Sequence, residues 1–480
     1  MLRLTAILGI AATLAAAVAD DSGATLPRPV SARERPDAPV GEIGRKIAAA
    51  REGDTIVIGP GVYREHVRID KRLILVGSGR PVIDGGGSGD IVEITAPGVE
   101  FRGFTVRDTG IDLDKENAAV RVLAGRVTIE DNILDDILFG IDLREAPDCI
   151  VRNNHIGGKA LDIARRGDGL RLWRSDRTLV EGNQIHDGRD AILWYSEGVT
   201  VRANTSSRCR YGFHLMYSDS VIIEDNDLTE NSVGVYLMYS KRVRLDGNRL
   251  VRNRGPSGYG IGLKEVDRFT IVNNVIGANR VGVYLDGSPF STVVPGAFSK
   301  NTIAFNDIGV AFLPSVRANR FTENNFIDNI EQVAVLGRGE LKGNEFSHDG
   351  RGNFWTDYVG YDQDRDGVGD FVHESQTLFE NMLDKEPKLR ILLFSPVQQA
   401  VELVGRALPA TRPEPKFSDE FPLMASVADA GGTGRAPIST GALAGAGGSL
   451  IAVGAAVFLL ASHGLNGSNP RRSRTNGGVA

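Results

Sequence analysis

Cysteine is almost missing from this sequence. Two occur, Cys149 and Cys209, and neither belongs to a CxxC pair. That excludes a disulfide-dense scaffold, a zinc ribbon and a thioredoxin-type redox centre. Tryptophan is scarce too, at 3 against 58 glycines. Few large core aromatics and many turns point to numerous short strands. No excess of basic charge exists: the formal net charge is −6 over 480 residues, which argues against a nucleic-acid binder. No nucleophile motif is present. Acids that could serve a polysaccharide-cleaving enzyme, such as Asp142, Asp187 and Asp190, form no column on one face. The chain reads as a protein without an enzymatic centre.

What is present is a repeat. An asparagine with an apolar side chain shortly after it recurs at Asn132, Asn154, Asn183, Asn204, Asn226, Asn248, Asn274, Asn301 and Asn325, at a period of about 22 residues. About eight residues further on comes a glycine with alternating apolar residues. Examples are Gly140-Ile141-Asp142-Leu143, Gly212-Phe213-His214-Leu215 and Gly234-Val235-Tyr236-Leu237. A third alternating run precedes each asparagine, as in Val221-Ile222-Ile223-Glu224. Two or three short strands per repeat, with no helix between them, wind into parallel sheets. A propeller blade would need four strands over roughly 40 residues. The fold class is therefore all-β, a right-handed parallel β-helix over 40–388. Asparagine suits the turn because it tolerates left-handed backbone and its amide can bond the next coil. Residues 40–50 read as an amphipathic cap with Ile43, Ile47 and Ala50 on one face. Cys149 and Cys209 fall about three coils apart, too far for a disulfide when strands are ~4.8 Å apart.

The register lets the outer surface be read. Leu172, Leu193, Leu215, Leu237 and Leu285 point inward, so the residues flanking each point outward. After the leucines the column is Trp173, Trp194, Met216, Met238 and Lys264. Before them it is Arg171, Ile192, His214, Tyr236, Gly262 and Tyr284. Thioether and imidazole are soft ligands suited to Cu(I), so His214, Met216 and Met238 are candidate copper ligands. The competing reading is an apolar ladder under a loop or a protein-binding patch. A second candidate is the run from Asp362 to Asp370. Asp362, Asp364, Asp366 and Asp370 stand at positions 1, 3, 5 and 9 of a calcium-type loop with Gly367 at position 6. Position 12 is His373 rather than the expected glutamate.

The ends differ in character. Residues 1–19 read as an export signal: Arg3, an apolar run from Leu4 to Val18, and Ala17-Val18-Ala19 before Asp20. Residues 20–39 follow as a flexible segment. Near the other end, 441–462 carries no charge and is followed by Arg471, Arg472 and Arg474. It reads either as a membrane helix with a cytoplasmic basic tail over 463–480, or as a disordered small-residue stretch.

Several of these features together resemble the NosD family. They are Gly53-Asp54-Thr55 with Gly61-Val62-Tyr63, the Met216-Tyr217-Ser218 and Met238-Tyr239-Ser240 rungs, and Gly352-Asn353-Phe354-Trp355-Thr356-Asp357-Tyr358 ahead of the acidic loop. The resemblance covers roughly 40–425. It implies a periplasmic protein associated with copper in the maturation of nitrous oxide reductase, tethered to or docked on the inner membrane. It implies partners: the ATPase and permease of an ABC transporter, a copper chaperone lipoprotein and the apo-reductase. On that reading copper is the cofactor; calcium is read from the spacing of the acidic loop alone. Residues 389–440 are a docking tail and linker, and Trp173, Trp194, Tyr236, Phe394, Phe421 and Met424 form partner surface. Two readings compete with it: an extracytoplasmic polysaccharide lyase or epimerase on the same fold, and a structural adaptor without copper.

Overall fold

A computed structural model of the chain describes residues 41–428, apart from 315, 338–340, 376 and 409–412. The segments read as signal peptide, flexible leader, membrane helix and basic tail lie outside the described residues. Among the described residues no helix is long and apolar enough to cross a membrane.

The chain winds as a right-handed parallel β-helix of about 12 turns. Each coil contributes one short strand to each of three sheets, of 12, 13 and 12 strands. Strands of the first and second sheets are mostly three residues long with only the central side chain buried, as in Leu179–Glu181 and Gln184–His186. Third-sheet strands run to six residues, as in Tyr211–Met216 and Val233–Met238. Equivalent inward positions stack coil upon coil. Val180, Val201, Ile223, Leu245 and Ile271 line the first sheet, Ile156, Ile185, Leu228 and Leu250 the second, and Leu172, Leu193, Leu215, Leu237 and Leu263 the third. Each such side chain stabilises the fold by roughly 1.5–3 kcal/mol through burial.

The asparagines form a continuous internal ladder. In each step the side-chain oxygen of one asparagine accepts from both the backbone N–H and the amide of its predecessor. Thus Asn226 Oδ1 receives Asn204 N at 2.9 Å and Asn204 Nδ2 at 3.0 Å. Two details differ from expectation. The ladder passes through Asn324 rather than Asn325. Asn325 begins the following strand, and its amide bonds the Val427 carbonyl instead. The left-handed backbone also sits one residue earlier than the asparagine: Asp131, Asn153, Ala203, Asp225 and Glu323 all have φ between 53° and 56°. The preceding residue makes the corner, which frees the asparagine to point inward and bond.

Both ends are closed. Helix α1, Glu42–Ala49, buries Ile43 and Ile47 over the first coil. Its leading amides, Ile43 N and Gly44 N, donate to the Glu65 carboxylate at 3.0 Å each, as a helix N-terminus requires. At the other end the last coil strand is Phe354–Trp355. Asp419 terminates the ladder: its Oδ2 accepts from Asn353 N at 2.7 Å and Trp355 Nε1 at 2.9 Å. Helices α2, Leu378–Lys385, and α3, Pro396–Ala407, follow the last coil. The segment expected to be docking tail divides in two. Phe394 is 77% exposed, with Ile391 at 86% and Leu403 at 66%. Phe417 and Leu423 are buried, and Leu423 N and Met424 N bond Asn353 O and Gly367 O. That ties the backbone of the stretch holding Phe421 and Met424 to the last coil, while both side chains stay exposed. Both cysteines are buried and unpaired, and burial pushes each thiol up to about 11.

Candidate functional site

The outer face of the third sheet holds two columns in the expected register. Trp173 pairs with Trp194, Trp194 with Met216, Met216 with Met238, and Met238 with Lys264. All are half-buried. Met216 and Met238 are direct neighbours on adjacent strands, ~4.8 Å apart along the coil axis. The second column runs Asp142, Arg171, Ile192, His214, Tyr236, Gly262, Tyr284.

His214 departs from expectation. It points outward but is only 5% exposed. Tyr211 packs edge-on at 4.9 Å and Tyr236 lies 6.2 Å away, ring centroid to centroid. Tyr236 finds room because the next residue in its column is glycine: a Cβ on Gly262 would fall 2.6 Å from the Tyr236 ring. The His214 Nδ1 lies 3.3 Å from the Asp190 carboxylate, which Arg210 also holds at 2.9 and 2.5 Å. Burial alone would raise the Asp190 pKa. The Arg210 and His214 contacts overcome that and keep it below the usual carboxylate range. A carboxylate only accepts, so Nδ1 donates, and in the neutral imidazole Nε2 carries the lone pair. That Nε2 is buried and has no hydrogen-bond partner, and the same is true of Trp194 Nε1 one coil before. This small region therefore holds an unpartnered imidazole nitrogen, an unpartnered indole N–H and two thioethers. The imidazole and the two thioethers suit a soft monovalent cation, whereas the indole N–H is a hydrogen-bond donor and ligates no metal.

Toward the N-terminal end the same face changes character. Asp142, fully buried, takes Arg171 at 2.8 and 2.9 Å, Arg144 at 2.9 Å and Arg121 at 3.3 Å. Burial opposes its ionisation, but the guanidiniums win and hold its pKa far below the ordinary range. Glu116 joins through Arg171 at 2.7 Å. These acids are committed to ion pairs. Asp187 lies elsewhere, on the second sheet's side, bonded to His186 and Arg208.

Sequence reading missed Asp190, Arg210 and Tyr211 as neighbours of His214. The Arg210-Tyr211 pair directly before Gly212 was the available signal. A tyrosine stack was also there to be read: Tyr195, Tyr217 and Tyr239 lie 5.1 and 5.0 Å apart beside the methionines, each in left-handed backbone.

In the acidic loop, oxygens of Asp362, Asp364 and Asp366 lie within 4.8 Å of one another. Gly367 makes the turn at φ +87°. Asp370 stands outside this group and accepts Gln363 N at 2.7 Å. His373, at position 12, is buried with its ring 5.0 Å from Trp355.

Three comparisons bear on this architecture. Residues 152–360 match the family model described as "NosD: Periplasmic copper-binding protein (NosD)". The chain is 32% identical over 384 residues to a "Probable ABC transporter binding protein NosD" from Pseudomonas aeruginosa, covering 76% of this chain and 87% of that protein. It is 29% identical over 382 residues to the protein of the same description from Stutzerimonas stutzeri, covering 76% of this chain and 85% of that one. Among solved structures it is similar to a PL6 family polysaccharide lyase from Pseudopedobacter saltans, at 13% identity and a TM-score of 0.45, covering 67% of this chain and 91% of that one.

Proposed function

This chain belongs to the NosD family, and from that premise we propose that it receives copper on the outer face of its third sheet. It hands the ion on during maturation of the copper–sulfide centre of nitrous oxide reductase, alongside an ABC transporter. Its family is described as periplasmic and copper-binding, and relatives bear the name of ABC transporter binding proteins. The observation that carries the reading is the buried, unpartnered Nε2 of His214 beside the Met216–Met238 rung pair. Two thioethers and one imidazole bind Cu(I) softly enough to release it. The exposed apolar residues Ile391, Phe394 and Leu403, near the C-terminal end of the coils, supply the surface for the transporter's permease and its ATPase partner. The aromatic column of Trp173, Trp194 and Tyr236 would meet the copper chaperone lipoprotein and then the apo-reductase. ATP hydrolysis belongs to the transporter.

The test is a Cu(I) titration of the full chain against a competing chelator, with and without Met216→Leu and Met238→Leu together. Leucine conserves volume, so the fold should lose less than about 1.5 kcal/mol per site. The expected result is at least a tenfold drop in affinity. Equal affinity in the double variant removes the site, and no Cu(I) binding in either protein leaves the adaptor reading. The acidic loop is proposed separately to hold calcium through Asp362, Asp364 and Asp366. With three acids its dissociation constant should fall in the weak class of about 10⁻⁴–10⁻³ M. Terbium luminescence displaced by calcium, and lost in Asp364→Ala, is the measurement; no luminescence in the wild type ends that proposal.

A further inference from the structure

A second pair of nitrogens lies away from the methionine rungs, on the outer surface of the second sheet. His155 opens the strand His155–Gly158, and His186 closes the next strand of that sheet, Gln184–His186. Register pairs His155 with Gln184 and Gly157 with His186. The two histidines therefore stand diagonally on one face. Their Nε2 atoms are nonetheless 3.0 Å apart, with ring centroids at 4.8 Å. Gly157 makes this approach available. A Cβ there would fall 2.9 Å from His186 Cε1 and 3.2 Å from its Nε2, so any other residue would push the ring off.

The far ring nitrogens each meet an oxygen acceptor. His186 Nδ1 is 2.8 Å from Asp187 Oδ2. Asp187 also takes Arg208 at 2.9 and 2.7 Å. An ionised carboxylate only accepts, so His186 Nδ1 donates and its Nε2 presents a lone pair. His155 Nδ1 is 3.2 Å from Gln184 Oε1 and donates likewise. With both Nδ1 atoms protonated, the two Nε2 lone pairs stand 3.0 Å apart, where one cation can take both. Each imidazole is also oriented through its far N–H by an oxygen acceptor, the arrangement that fixes metal-ligating histidines.

We propose that His155 and His186 form a two-nitrogen clip for a divalent transition-metal ion, Cu²⁺ by preference, independent of the methionine site. With metal–nitrogen bonds of about 2.0 Å, nitrogens 3.0 Å apart subtend about 95° at the ion. That matches adjacent corners of a tetragonal site, the geometry Cu²⁺ favours, and not the linear geometry of two-coordinate Cu(I). His155 is exposed and His186 half-buried, so the remaining positions are open to water or to donors from a docked partner. An open clip of this kind can pass an ion on.

The experiment uses the metal-free full chain titrated with Cu²⁺ against a competing chelator and followed by electron paramagnetic resonance. The wild type should bind one Cu²⁺ with a tetragonal signal carrying nitrogen hyperfine structure. His155→Gln or His186→Gln should weaken binding at least tenfold and remove that signal. Asp187→Asn, which keeps both ligands but loosens the His186 ring, should weaken it about tenfold. Met216→Leu with Met238→Leu should leave the signal unchanged, so this site and the Cu(I) site succeed or fail separately. Equal Cu²⁺ affinity in the histidine variants would overturn the proposal. So would nitrogen NMR of the metal-free protein showing one proton held between the two Nε2 atoms and no displacement by stoichiometric Cu²⁺.

Discussion

Two columns of this molecule run parallel to the same axis and obey opposite rules. The asparagine ladder repeats one residue on coil after coil, from Asn132 to Asn353, with the same bonds at every step. The outer column of the third sheet changes at almost every step, from Asp142 through Arg171, Ile192 and His214 to Tyr236. Position within a coil is equally well defined in both. What differs is what each position must satisfy. Every coil buries the same backbone groups at the corner, so one side chain answers all of them. No backbone group demands a given side chain on the outer face, so that face is free to vary along the axis. Variation within a repeat thus marks where the molecule does something local.

The comparison is broken most severely by Asn226→Ala. The substitution strands Asn204 N in the interior, takes one of three acceptors from Asn204 Nδ2 and removes a donor from the Val201 carbonyl. These buried losses should cost about 3–5 kcal/mol in total. Met238→Leu on the outer column should cost under about 1.5 kcal/mol. Urea unfolding of the two variants measures the contrast, and similar midpoints would mean that the ladder is no more structural than the face beside it.

A smaller effect is expected where the outer face itself becomes structural. Asp142→Asn leaves Arg121, Arg144 and Arg171 crowded around a neutral group, which should cost about 3 kcal/mol. The pH dependence has a definite sign. The folded carboxyl titrates well below its unfolded value because three guanidiniums outweigh its burial. Its contribution is therefore complete above the unfolded pKa of about 3.9 and is lost as pH falls toward the folded value. Urea midpoints measured from pH 6 down to pH 2 should decline steeply in the wild type. They should decline less in Asp142→Asn, and parallel curves would show that other acids carry the acid limb.

These contrasts also explain what the sequence could reveal. The coil period, the inward leucines and the Met216–Met238 pairing were legible because the Met-Tyr-Ser tail recurs at the coil spacing. The slip from Asn324 to Asn325 was not avoidable by pattern: two asparagines stand side by side, and only the carbonyls they meet distinguish them. The burial of His214 was hidden for a related reason. Its register with the previous strand shifts between the Asp190–Tyr211 and Ile192–His214 pairs. That irregularity brings Asp190, Arg210 and Tyr211 over the imidazole. The His155–His186 approach was equally hidden, since a diagonal contact over Gly157 leaves no periodic trace.

The gentlest way to sharpen the comparison lies at the corner itself. From Asn132 to Asn324, the residue before each ladder asparagine takes left-handed backbone whatever its identity: glycine at Gly182 and Gly247, but alanine at Ala203. A Cβ in that region costs roughly 1–2 kcal/mol, and glycine removes that strain. Glycine also gains entropy in the unfolded chain, by about 0.5–1 kcal/mol, which offsets part of the benefit. Ala203→Gly should therefore raise stability by roughly 0.5 kcal/mol, visible as a small upward shift of the urea midpoint at unchanged slope. The same change at Asp225 should gain less. The Gly247 backbone passes over Asp225, where a Cβ would come within 2.6 Å of its Oδ1. A loss of stability in Ala203→Gly would mean that the corner is held by side-chain packing rather than by backbone geometry. The repeated column would then owe its regularity to the same local contacts that make the outer face irregular.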